Sequence, residues 1–110
     1  MEPYPGVFVS SSSPDIWHTD PDAPGTETFE LVHADGVQAG LSRYTGTREP
    51  ISWTSERREV ALILEGSVRI DFDDGSSAEL GAGDFFSIAP RVAMTWHITT
   101  PFKEAWIAPG

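Results

Sequence analysis

The sequence predicts an all-β domain, a sandwich or barrel of short antiparallel strands, and three observations carry that prediction. No segment of ten or more residues has a helical period. Runs rich in β-branched and aromatic residues recur at intervals of roughly 8–12 residues, and Gly or Pro lies between them. No internal repeat is present.

In chain order, residues 1–26 read as an irregular N-terminal arm, punctuated by Pro3, Pro5, Pro14, Pro21 and Pro24 with a serine run at 10–13. Ile16 and Trp17 are the residues expected to pin this arm to the body. Residues 27–110 then form a single domain. Strands are expected at 28–33 and 37–44, joined by the turn residues Ala34, Asp35 and Gly36. Residues 60–64 are apolar without clean alternation, which suits a strand covered on both faces, and Glu65-Gly66 supplies a turn signal. Residues 67–72 alternate, Val68, Ile70 and Phe72 against Ser67, Arg69 and Asp71. Asp73-Asp74-Gly75 then closes a hairpin onto 76–80. After the turn at 81–84, strands are expected at 85–89, 93–98 and 103–107, separated by Pro90-Arg91 and by Thr99-Thr100-Pro101.

Composition bounds the function. A chain of 110 residues with 39% hydrophobic and 22% charged residues is globular, and it is long enough for one core. Its net charge of −10, with only seven Lys and Arg, argues against a nucleic-acid partner and against an anionic membrane surface. The acidic surface either keeps the protein solvated or meets a cationic partner. Without cysteine, disulfides, thiolate metal ligands and a cysteine nucleophile are excluded. No leader pattern follows Met1 and no apolar run approaches the roughly 18 residues of a membrane span, so a cytoplasmic location is expected.

One stretch has an ordered spacing. Gly46 is followed by five residues, Ser52-Trp53-Thr54, four residues, Glu59, six residues and Gly66. A second runs Gly83-Asp84-Phe85-Phe86-Ser87-Ile88-Ala89-Pro90-Arg91-Val92-Ala93-Met94. Together they resemble the two motifs of the cupin superfamily, over about residues 36–107. The first motif in that family reads Gly, five residues, His-x-His, three or four residues, Glu, six residues, Gly. Ser52 and Thr54 stand where its histidines would be, and Met94 stands at the histidine of the second motif. There the proline is also one place late, and Arg91 replaces a glycine. The resemblance implies a cupin-type jelly-roll β-barrel of two facing antiparallel sheets. Leu64-Glu65-Gly66, Gly83-Asp84, Thr95-Trp96 and Lys103-x-x-Trp106 are similar to the small single-domain group related to the cupin domain of (S)-ureidoglycine aminohydrolase.

Strand alternation puts Ser52 and Thr54 on one face of their strand, and Met94 and Trp96 on one face of theirs. With the resemblance, these four and Glu59 are expected to point into the barrel. Zinc, iron or manganese requires three or four imidazole or carboxylate donors, whereas this set offers one carboxylate, two hydroxyls and a thioether. No metal or other cofactor is therefore expected; a divalent ion at the degenerate site is the disfavoured alternative. Glu59 must be protonated or paired with a base if it lies inside. It then acts as a general acid or base, or grips an amine or hydroxyl of a ligand. The plainer alternatives are an ion pair with Arg43 or Arg57, or exposure at the barrel mouth. Ser52 and Thr54 either hydrogen-bond a polar ligand or are ordinary strand residues, with no histidine beside them to make a nucleophile. Met94 is a core filler or a ligand contact. Tyr44 and Trp96 are the rings expected to stack on a flat or sugar-like ligand, while Trp53 and Trp106 pack between the sheets or at a subunit contact. Asp84 forms a turn, Arg91 lies near the mouth, and His97, next to the inward Trp96, faces out.

Three functions follow. The first is binding of a small polar molecule without a catalytic metal, through Tyr44, Ser52, Thr54, Glu59, Met94 and Trp96. The second is an aminohydrolase-like or isomerase-like enzyme with Glu59 as catalytic acid or base. The third is a dimeric interaction module without a ligand. A homodimer is expected, because cupins commonly pair through sheet edges.

Overall fold

In a computed structural model the described residues, 1–20, 25–45 and 49–109, form eight antiparallel strands and no helix. They are β1 (His18–Thr19), β2 (Thr26–Ala34), β3 (Val37–Tyr44), β4 (Ile51–Thr54), β5 (Glu59–Phe72), β6 (Ser77–Gly81), β7 (Phe85–Ile88) and β8 (Ala93–Pro109). The expected Pro21 and Pro24 breaks in the arm, and Gly46 of the first motif, lie outside the described residues. No helix of the described chain is long and apolar enough to cross a membrane.

Two long strands, β5 and β8, pair with each other along their lengths and pass through both walls of the barrel. The second half of β8 pairs with β3, which continues through β2 to β1; the first half of β5 pairs on its other side with β7. This is one wall. In the other, the first half of β8 pairs with β4, and the second half of β5 pairs with β6. The β2–β3 hairpin has the turn its sequence predicts, with Asp35 (φ 55°) and Gly36 (φ 78°) both at positive φ between the paired Ala34 and Val37.

The sequence marks Glu65-Gly66 and Thr99-Thr100-Pro101 as breaks, yet the structure carries one strand through each. Around Gly66 the β5–β8 register shifts twice, which is a bulge and not a turn. Gly66 sits at φ 83°, and a Cβ there would run into the Pro101 carbonyl oxygen and come within 3.0 Å of Phe102 Cα. Glycine is required because two backbones meet there. Other expected strands match the structure to within about two residues, which is the scatter of strand ends themselves. Two strands missing from the residue-by-residue reading are the short β1 and β4.

Ile63, Val68, Ile70, Ile88, Met94, Trp96 and Phe102 form the buried core. Trp96 anchors it, with ring centroids 5.9 Å from Trp53 and 6.0 Å from Phe86. In the arm, Trp17 is half-buried under the Arg43 guanidinium, 4.2 Å from its ring centroid, and donates to the Pro14 carbonyl. Ile16 is exposed and pins nothing.

Candidate functional site

Alternation on the β1–β2–β3–β8–β5–β7 wall gives its inner face an unusual composition. Thr26 and Thr28 of β2, Gln38, Ser42 and Tyr44 of β3, Glu104 and Trp106 of β8, and Glu59 of β5 all line one cavity of about 410 Å3. Ile51, Trp53 and Trp96 close it from the opposite wall. A wall facing only an apolar core would not place two carboxylates, an amide and four hydroxyls inward, because each must lose water to be there.

Glu104 is the centre of this arrangement. It lies on β8 between Ser42 of β3 and Ile63 of β5, is 7% exposed, and its Oε2 has no hydrogen-bond partner. Burial pushes its carboxyl up to about 8, and the nearby Glu59 adds to the effect. Glu59 is also raised by burial, and the Arg57 guanidinium opposes that rise. Arg57 is itself engaged: it donates to the Pro109 carbonyl and, at 2.9 Å, to Gln38 Oε1. Trp106 Nε1 donates to Ser42 Oγ at 2.9 Å.

Three buried side-chain polar atoms among the described residues have no hydrogen-bond partner: Thr26 Oγ1, Trp96 Nε1 and Glu104 Oε2. All three residues line this same cavity. Unpaired buried polar atoms are scarce in folded proteins, and each carries a desolvation cost of about 1–3 kcal/mol. The three residues that carry a buried donor, a buried acceptor or acid, and a buried hydroxyl without protein partners thus meet at one cavity.

Several sequence-predicted site residues fall here. Glu59, Tyr44 and Trp96 line the cavity, and Trp96 faces inward as expected. Trp53 and Trp106, expected as packing residues, line it as well. The expected inward direction of Ser52 and Thr54 is corrected by the structure. Pairing of Ile51 with Trp96 and of Trp53 with Met94 puts Ile51 and Trp53 on the inner face, so Ser52 and Thr54 face outward and are exposed. Burying an isoleucine and a tryptophan outweighs burying two hydroxyls. Ser52 still reaches the rim, where its Oγ lies 3.2 Å from Thr95 Oγ1; Thr54 does not line the cavity. Met94 is inward but packs in the core, 4% exposed, away from the cavity lining.

Of the two candidate partners for Glu59, Arg57 is the one that acts on it; Arg43 binds Glu27 at 3.1 Å. Asp84 forms its turn by accepting from the Gly81 amide at 2.7 Å, and Arg91 is an exposed turn residue at φ 62°. His97 faces out and meets Asp71 at 2.8 Å. The sequence reading missed Glu104, although Phe102, Glu104 and Trp106 share one face of the strand. The signal was weak because Ala105 and Ile107 make the other face apolar too.

Comparison with known proteins places this geometry. Residues 46–106 match the family described as the EutQ-like cupin domain. No curated protein sequence matches the chain. Among solved structures, KdgF from Halomonas sp. superposes with a TM-score of 0.71 at 15% identity, covering 94% of both chains. An ethanolamine utilization protein EutQ from Salmonella typhimurium gives 0.68 at 18% identity over 84% of this chain and 77% of its own. An RmlC-like cupin from Shewanella frigidimarina gives 0.68 at 20% identity over 84% and 82%. At these identities the likeness concerns the fold.

Proposed function

The chain belongs to the EutQ-like cupin domain family, and from that premise we propose that it binds a small polar molecule in the barrel cup without a catalytic metal. The observation that carries this reading is that Thr26, Trp96 and Glu104, each with a buried side-chain polar atom that has no protein partner, all line one cavity. A cup of about 410 Å3 suits a metabolite-sized ligand.

The metal-free form rests on the donors. Among the described residues no group of three or more His, Cys, Asp or Glu comes together as metal ligands. Ser52 and Thr54 face outward and Met94 is in the core, so the residues at the cupin ligand positions do not fit a divalent ion. For the same reason, no metal-dependent form of the aminohydrolase-like activity expected from the sequence resemblance is carried over. One equivalent of a transition metal in protein purified without added metal would overturn the metal-free form.

The binding reading is tested by a thermal-shift screen of a metabolite library against the wild type, Thr26→Val and Glu104→Gln. We expect polar compounds that raise the wild-type melting temperature and lose that effect in both variants. Hits that are indifferent to both substitutions would place binding elsewhere.

A second reading has one specific observation behind it, the coupling of Glu104 to Glu59. With Glu104 protonated and Glu59 ionised, the two carboxyls lining the cavity would form an acid and a base. Glu104 gives its proton to one ligand atom while Glu59 takes one from another, which leaves the protein's proton count unchanged and moves a hydrogen within the ligand. This is the isomerase-like form, with Glu59 as catalytic base. A turnover left unchanged by Glu59→Gln would exclude it.

A further inference from the structure

We propose that the cup selects small organic ammonium ions that also carry a hydrogen-bond-accepting oxygen, the ammonium lying between Glu59 and Glu104 and the oxygen accepting from Trp96 Nε1. This deepens the binding reading above and rests on it.

Charge gives the first argument. The acidic lining residues are Asp20, Glu59 and Glu104, and the one cationic residue lining the described cavity, Arg57, is committed to Gln38 and the Pro109 carbonyl. An anionic ligand would meet acids with no free cation to receive it. An ammonium instead supplies N–H donors to Glu104 Oε2, which has no partner. A net charge of −10 also favours the approach of cations over anions.

The rings give the second. Tyr44, Trp53, Trp96 and Trp106 line the same cavity, and an ammonium near indole faces gains a cation–π attraction that a neutral hydroxyl does not. The third argument concerns the remaining orphans. Trp96 Nε1 can only donate, so the ligand must also present an acceptor, and Thr26 Oγ1 can serve either kind of group. An ammonium-bearing alcohol or ether satisfies all three atoms; a simple alkylamine leaves Trp96 unpaired.

Proton linkage adds a signature. Glu104 holds its proton up to about pH 8, so an ammonium that needs its ionised form must displace that proton. The titratable and charged groups facing Glu104 in the cup are Glu59 on β5, Arg57 before it, Tyr44 on β3 and Asp20 before β2; β4 contributes none. Of these, Glu59 raises the Glu104 carboxyl. Affinity for the ammonium must therefore rise with pH towards 8, whereas a neutral ligand has no such dependence.

The test compares 3-amino-1,2-propanediol, glycerol and glycerate, one carbon skeleton in cationic, neutral and anionic form, by saturation-transfer NMR and calorimetry at pH 6, 7 and 8. We expect the amine to bind about tenfold more tightly than glycerol at pH 8, and glycerate more weakly than either. We also expect the amine to lose about fiftyfold in affinity between pH 8 and pH 6, as the ionised fraction of Glu104 falls from about one half to about one hundredth, and Glu104→Gln to remove both the preference and the pH dependence. If glycerol or glycerate binds as tightly as the amine, or the amine affinity is flat with pH, the ammonium assignment is wrong while the cup stands as a binding site. If none of the three binds, the ammonium assignment is wrong, and if the metabolite screen also gives no cup-dependent hit, the binding reading falls with it.

Discussion

Glu104 exchanges water for Ser42 and Ile63 on its flanks and gains no hydrogen bond at Oε2, and the result is a proton held far above its ordinary value of 4.5. Between 4.5 and about 8 the folded chain keeps a proton that the unfolded chain has lost. The stabilisation from that proton is complete below 4.5 and is lost as pH rises towards 8, at a slope of up to about 1.4 kcal/mol per pH unit for one group. Glu59, shifted in the same direction, acts in the same sense. Asp71 and Asp74 are lowered and act oppositely: their contribution is present above their unfolded value of 3.8 and lost as pH falls below it. Stability should therefore peak near pH 5 and decline towards pH 8. Glu104→Gln, neutral throughout, should flatten the decline and melt higher than the wild type at pH 8. Melting temperatures followed by circular dichroism across this range check it, and parallel curves for the two proteins would mean that Glu104 is not the titrating group.

At the scale of the element, β4 shows what was legible in the sequence and what was not. The spacing from Ser52 through Glu59 to Gly66 correctly gives a barrel, and Gly66 is needed where β5 meets the backbone at Pro101. The motif alignment puts Ser52 and Thr54 inward, but the strand's own Ile-Ser-Trp-Thr alternation puts Ile51 and Trp53 there, and burial settles the phase. Glu104 was harder to find because both faces of β8 around it carry apolar residues, so alternation alone does not choose the inner one. The hairpins were readable because their turn residues require particular backbone angles. The two long strands were not, because a bulge glycine and a turn glycine look alike in sequence. The pleat phase of β4 has a measurable consequence. Trp53→Ala should cost about 3 kcal/mol in urea unfolding, since it removes a ring packed on Trp96. Ser52→Ala, on the outer face, should stay within about 0.5 kcal/mol of wild type. Equal costs would mean the strand is turned the other way.

For the whole molecule, the outer surface of the β2–β3–β8–β5 wall supports the homodimer we propose. Phe29, Leu31, Leu41, Leu64 and Ile107 surround a mostly apolar cleft of about 330 Å3 there, with Ser10, Ser11 and Ser12 of the arm along its edge. Ile107 is 54% exposed and Val37 is 40% exposed on the same wall. A cleft lined by half-buried apolar residues, with Ile107 exposed beside it, offers apolar area to an association, and a second copy presenting the same patch would cover it by a twofold pairing. Lys103 holds the arm at this wall by donating from Nζ to the Ser12 carbonyl at 3.0 Å and to Ser13 Oγ at 3.1 Å, so the arm frames the patch and leaves Ile107 open. Light scattering after size exclusion should give about twice the chain mass of 12.0 kDa. Ile107→Glu should shift the protein towards the single-chain mass, because the pairing would bring two buried carboxylates together on an already acidic molecule. A wild type that runs at the single-chain mass at tens of micromolar would remove the dimer. A dimer untouched by Ile107→Glu would move the interface to another face of the barrel.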